Sequence, residues 1–153
     1  MTHDDPAREQ ARRDLVEYYK AELRHAEDQR RTFAKQIITY GWRSVAGDLN
    51  QLIANDVRGE TAISILDHVE RGVTVEEALR WEIARVEGNT AQILKCNEDD
   101  AGNAFSAPME LVLLAHMRRW LATAREHLAV LGEQEEAGGA PAAPDGREGR
   151  RPV

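Results

Sequence analysis

A single cysteine, Cys96, is present in the whole chain. No internal disulfide can form, which excludes a small secreted scaffold stapled by bridges. Long apolar runs are missing as well. The longest, Leu111 to Ala115, spans five residues, far short of the roughly 20 that a membrane-crossing helix needs. Aromatic residues make up 5% of the chain, and its 11 glycines and 5 prolines cluster outside the periodic stretches. That distribution excludes collagen-like and wholly disordered chains. A basic excess is also lacking, since 20 Lys plus Arg stand against 27 Asp plus Glu for a net charge of -7. The overall electrostatics therefore do not suit a nucleic-acid binder. The acidic start, Met1 to Pro6, has no apolar segment behind it and predicts no secretory leader. No phosphate-cradling glycine loop, Gly-x-Ser-x-Gly or His-Glu-x-x-His occurs in the sequence, so no cofactor is expected.

What is there is a charged, apolar-rich chain of one-domain size: 153 residues, 42% hydrophobic and 31% charged. These values predict a soluble, cytoplasmic domain with no membrane partner. The composition changes sharply after Leu131. Residues 133–153 run through Glu, Gly, Ala and Pro to an Arg-rich end, with Val153 as the one bulky apolar residue. Such a segment cannot offset its ordering entropy by burial. The expected organisation is a helical domain over residues 6–132 and a disordered tail over 133–153.

The domain reads as helix almost throughout, an all-α bundle of four to five helices with a long first helix. Pro6 stands at the first helical position, where its missing N–H costs nothing. Val16, Tyr19, Leu23, Ala26, Phe33, Ile37 and Tyr40 then follow at spacings of three and four, with Arg30 in the gap. The pattern predicts one helix to about Ala46, with Gly41 and Gly47 as kink and stop. Asp48 with Gln51 predicts an N-cap and a short helix over Leu49, Leu52, Ile53 and Val57, ended by Gly59. Thr61 opens a third helix through Ala62, Ile63, Leu66 and Val69, stopped at Gly72. Thr74 to Glu77 is a capping box, and the stripe behind it, Val75, Leu79, Ile83, Val86, Thr90, Ile93 and Leu94, keeps its phase across Gly88. Asn97 to Ser106 reads as a loop. Ser106 and Pro108 open a last helix along Leu113, Leu114, Met117, Leu121, Ala124, Leu128 and Leu131. Leu111 and Val112 make its first turns apolar nearly all round, which predicts burial.

Three functional readings follow. The leading one is a non-enzymatic interaction protein, acting through self-association or a partner groove. A first helix of about 40 residues is roughly 60 Å long, more than a compact domain of this size covers. Its stripe therefore predicts a homodimer interface formed by Val16, Tyr19, Leu23, Phe33, Ile37, Tyr40 and Trp42, with Arg30 pairing across an antiparallel seam to Glu22 or Glu27 of a second copy. Trp42, Trp81 and Trp120, each off the centre of its own stripe, point the same way.

The second reading is a metal-binding bundle protein or enzyme. Glu22 and His25 form a Glu-x-x-His pair on one helix face, the unit that di-iron carboxylate bundles use twice. This chain has it once, and a solvated surface pair is the plainer reading. The third is a helix-turn-helix regulator built on the tight Gly72 turn. It would put the carboxylates of Glu76 and Glu77 against DNA phosphates, which argues against it. Cys96, next to Glu98, Asp99 and Asp100, lacks the electropositive setting of a nucleophile.

Overall fold

The computed structural model describes residues 6–99 and 107–132. The expected disordered tail, 133–153, and most of the expected loop lie outside the described residues. Within them the fold is all-α, with four helices: α1 Pro6–Tyr40, α2 Leu49–Glu70, α3 Val75–Asp99 and α4 Ala107–Val130. A 3-10 turn over Trp42–Asp48 joins α1 to α2. No described helix is long and apolar enough to cross a membrane.

The helix α1 has 35 residues, about 52 Å at 1.5 Å per residue. It stops at Tyr40 rather than near Ala46, because Gly41 takes a φ of +81° that side-chain-bearing residues rarely adopt. The chain then tightens into the 3-10 turn. There the Ser44 hydroxyl donates to the Gly41 carbonyl at 2.7 Å. Asp48 makes no side-chain capping bond at the start of α2, so that part of the sequence reading is corrected.

Gly59 is not a stop either. The expected second and third helices are one continuous helix of 22 residues, and Gly59 lies buried in its middle. A Cβ at Gly59 would stand 3.2 Å from the Ala26 Cβ of α1. The glycine is there because α1 passes so close. Thr61, expected as a helix start, instead donates its hydroxyl back to the Val57 carbonyl at 2.7 Å, a bond compatible with helix interior.

The true end of α2 is at Gly72, whose φ is +88°. Gly72 N–H donates to Val69 O at 3.0 Å and Val73 N–H to His68 O at 3.0 Å, the pair of bonds of a Schellman C-cap. The capping box then starts α3, with Glu77 N–H donating to Thr74 Oγ1 at 3.3 Å and Thr74 N–H to Glu77 Oε2 at 3.4 Å. As expected, α3 passes through Gly88. It runs on to Asp99, three residues into the predicted loop.

In the assembled bundle α2 packs on α1, α3 and α4. Leu15 and Tyr19 of α1, Ile65 of α2, Leu79 and Val86 of α3, and Leu121 and Leu128 of α4 meet in the core. Burying one such aliphatic or aromatic side chain contributes about 1.5–3 kcal/mol. The stripes of α3 and α4 fall where the period placed them, except that Leu94, the last of the α3 stripe, is exposed. The first turns of α4 do not, since Met109 and Leu111 are exposed and the predicted all-round burial fails there.

Candidate functional site

Two buried carboxylates tie the helices together. Glu76, at the first turn of α3, is 3% exposed and receives Arg12 Nε at 2.9 Å and Arg12 Nη2 at 2.8 Å, with Arg8 Nη2 at 3.2 Å. Burial pushes its carboxyl up, but the hydrogen bond from Arg12 and the Arg12 and Arg8 charges outweigh this and hold it below the usual carboxylate value. Glu76 is thus engaged by α1 rather than presented at the tip of a recognition helix. Glu82 accepts the Ser64 hydroxyl of α2 at 2.6 Å and Arg85 Nε at 2.9 Å.

The predicted Glu-x-x-His pair separates. Glu22 is bound by Arg58 of α2 at 2.7 Å, while His25 is exposed. Among the described residues no three His, Cys, Asp or Glu side chains converge on a metal-sized site. Arg30, expected to cross to a second chain, pairs within its own chain with Asp56 of α2 at 3.1 Å. Arg30 and Glu22, two of the three charged residues expected at the seam, therefore have ion-pair partners inside one molecule, and Glu27 is exposed.

The seven predicted interface residues divide. Tyr19 and Phe33 are buried within the chain, and Val16 and Leu23 are half-buried against its core. Ile37 is exposed, and Tyr40 and Trp42 are 76% and 66% exposed. Ile38, which the stripe omitted, is 85% exposed. These residues flank Gly41 in the chain, and the Arg43 guanidinium lies 5.9 Å from the centre of the Trp42 ring. Trp81 is also exposed and meets the His68 ring edge-on at 5.1 Å. Trp120 is half-buried. Cys96 is exposed.

Two concavities lie elsewhere. A groove of about 650 Å³ runs between α2, α3 and α4, with Ile53, Val86, Leu113 and Met117 among its walls and Asp56, Glu60 and Glu110 at its sides. A smaller cavity of about 280 Å³ lies between α1, α2 and α4. There His116 Nε2 stands 2.7 Å from Asn50 Oδ1. Burial lowers the His116 imidazole below its usual value, and the Arg119 and Arg58 charges lower it further. Just behind, the Tyr19 hydroxyl lies 2.8 Å from His127 Nδ1. Burial lowers His127 too, against the opposing charges of Glu126 and Glu22, and it pushes the Tyr19 phenol far above its ordinary value. Sequence reasoning missed this cavity, because its residues come from three helices with no shared spacing.

Comparison of the chain with protein-family models, curated proteins and solved structures finds no match.

Proposed function

We propose that this chain is a non-enzymatic interaction protein that works as a homodimer, paired through the turn that follows α1. The observation behind the reading is that three large apolar side chains at the end of α1 and the start of the turn, Ile38, Tyr40 and Trp42, are left 85%, 76% and 66% exposed. Several large apolar side chains left exposed within a few residues of each other favour an interaction site over ordinary exposure. Tyr and Trp are also the residues that dominate interface energetics.

A second copy is the occupant that fits. Ile37 and Tyr40 continue the α1 stripe that Phe33 carries inside the chain, so the face left uncovered is the one that pairs with a helix of like pattern. Charges of both signs border it, with Arg43 and Asp48 in the turn itself and the Arg31–Asp28 pair behind it. A two-fold interface places each patch against its own copy, where mixed charge is self-complementary and a single-sign border would repel.

Sedimentation at micromolar concentration is expected to show a dimer that Tyr40→Asp with Trp42→Asp converts to a monomer of unchanged helicity. Phe33→Asp and Leu23→Asp are poor probes, because these side chains pack inside the protomer and their loss damages the fold itself. A monomer well above micromolar concentration overturns the reading and moves the interaction to the groove between α2, α3 and α4.

A further inference from the structure

We propose that the cavity between α1, α2 and α4 binds a small organic monoanion, a carboxylate on a flat apolar body, with the carboxylate held by Arg119 and the body laid along Trp120 and Tyr18. This inference is independent of self-association, since the cavity shares no residue with the turn after α1.

The charge of the cavity sets the class of ligand. Arg58, Arg119 and Glu22 all line it. Arg58 is neutralised by Glu22 at 2.7 Å, whereas Arg119 makes no ion pair among the described residues. His116 adds no positive charge near neutral pH, because burial and the two arginines hold it deprotonated. Among the described residues one guanidinium therefore remains uncompensated, which suits one negative charge and disfavours two. A planar guanidinium presents paired N–H donors that match a carboxylate bidentately.

The walls set the body of the ligand. Trp120 and Tyr18 supply aromatic surface, and Ala54 and Val57 supply aliphatic surface from α2. An apolar lining with a few placed polar groups is how small-molecule sites achieve both affinity and orientation. At about 280 Å³ the cavity falls just below the usual range for such sites, roughly 300–1,000 Å³. That admits a single-ring acid and excludes a nucleotide. Thr123 and Gln51 also line it and offer hydrogen bonds to a ring substituent.

The test uses benzoate as the probe, with benzamide as its neutral isostere and inorganic phosphate as a compact anion, each titrated into the full chain by calorimetry and by amide and indole NMR. Benzoate is expected to saturate and to shift the Trp120 indole N–H. Benzamide and phosphate are expected to bind at least about tenfold more weakly. Arg119→Gln is expected to weaken benzoate about tenfold with unchanged helicity, since Arg119 is exposed and ties no helices together. Arg118→Gln, on the neighbouring exposed position, is expected to leave binding as it was. The proposal is overturned if benzoate fails to saturate, if benzamide or phosphate binds as well as benzoate, or if Arg119→Gln has no effect.

Discussion

Gly59 and Ala26 form a close seam between α1 and α2, so tight that a Cβ on the glycine would lie 3.2 Å from the alanine Cβ and 3.3 Å from Arg30 Nη2. The Arg30 head can swing aside, but the Ala26 Cβ is fixed to its backbone. A long side chain at position 59 must push the two helices apart. Gly59→Leu is expected to cost about 2–3 kcal/mol, read as a lower denaturant midpoint. Gly88 is the contrasting case, helical like Gly59 but with open space where its Cβ would be. There Gly88→Ala is expected to stabilise by roughly 0.5–1 kcal/mol through helix propensity alone.

The junction before α3 makes a second pair of tests. Thr74→Ala removes the hydroxyl that accepts Glu77 N–H and is expected to cost about 1 kcal/mol. Glu76→Gln strips the charge that holds Arg8 and Arg12 and is expected to cost about 2 kcal/mol. An unchanged denaturant midpoint in Glu76→Gln would show that α1 docks on α3 without this contact.

Acid should destabilise the fold in two separate windows. His127 and His116 are both lowered, so the unfolded chain takes up their protons first as pH falls past about 6.5. Their stabilising contribution is complete above that pH and is lost as pH falls through the lower folded values. Glu76 is lowered from the carboxylate range, so its contribution is present above about pH 4.3 and lost further into acid. Denaturant midpoints at a series of pH values are expected to fall in both windows, with His127→Asn flattening the upper one and Glu76→Gln the lower. A midpoint that rises as pH drops below 6.5 would contradict the burial of both imidazoles.

Asn55 is 1% exposed, and neither its amide nitrogen nor its oxygen has a hydrogen-bond partner among the described residues. A buried amide without partners costs about 1–3 kcal/mol. Asn55→Leu is therefore expected to stabilise the fold by about 1 kcal/mol, provided the extra branch is accommodated. A marked loss of stability would show that the amide has a role in the folded molecule.

The helices that could be read from the sequence are those whose own stripes decide their burial. The positions Val75, Leu79, Ile83 and Val86 of α3 and Leu114, Leu121 and Leu128 of α4 are all buried, and the capping box at Thr74 needs only local chemistry. The misread positions depend on what lies opposite. Gly59 looks like a helix stop until α1 is set against it, and nothing in the spacing of Arg30 points to Asp56 of α2 beside it. Leu111 looks buried on composition, yet no helix covers it. The cavity was illegible for a similar reason. Arg58 and Arg119 stand 61 positions apart, and nothing in the spacing of either shows that one wall of a single cavity is formed by each.

The contact between Tyr19 and His127 joins residues 108 positions apart, and this has a consequence for the order of events in folding. Helices adjacent in sequence meet after closing short loops, a fast and inexpensive step, whereas residue 19 meets residue 127 only when the two ends of the bundle have come together. An interaction that forms so late contributes little to the rate-limiting state and much to holding the finished structure shut. Tyr19→Phe, which keeps the ring and removes the hydroxyl, should leave refolding nearly as fast as before and let the bundle open sooner. The bond thus acts as a latch, governing how long the native state lasts more than how quickly it is reached.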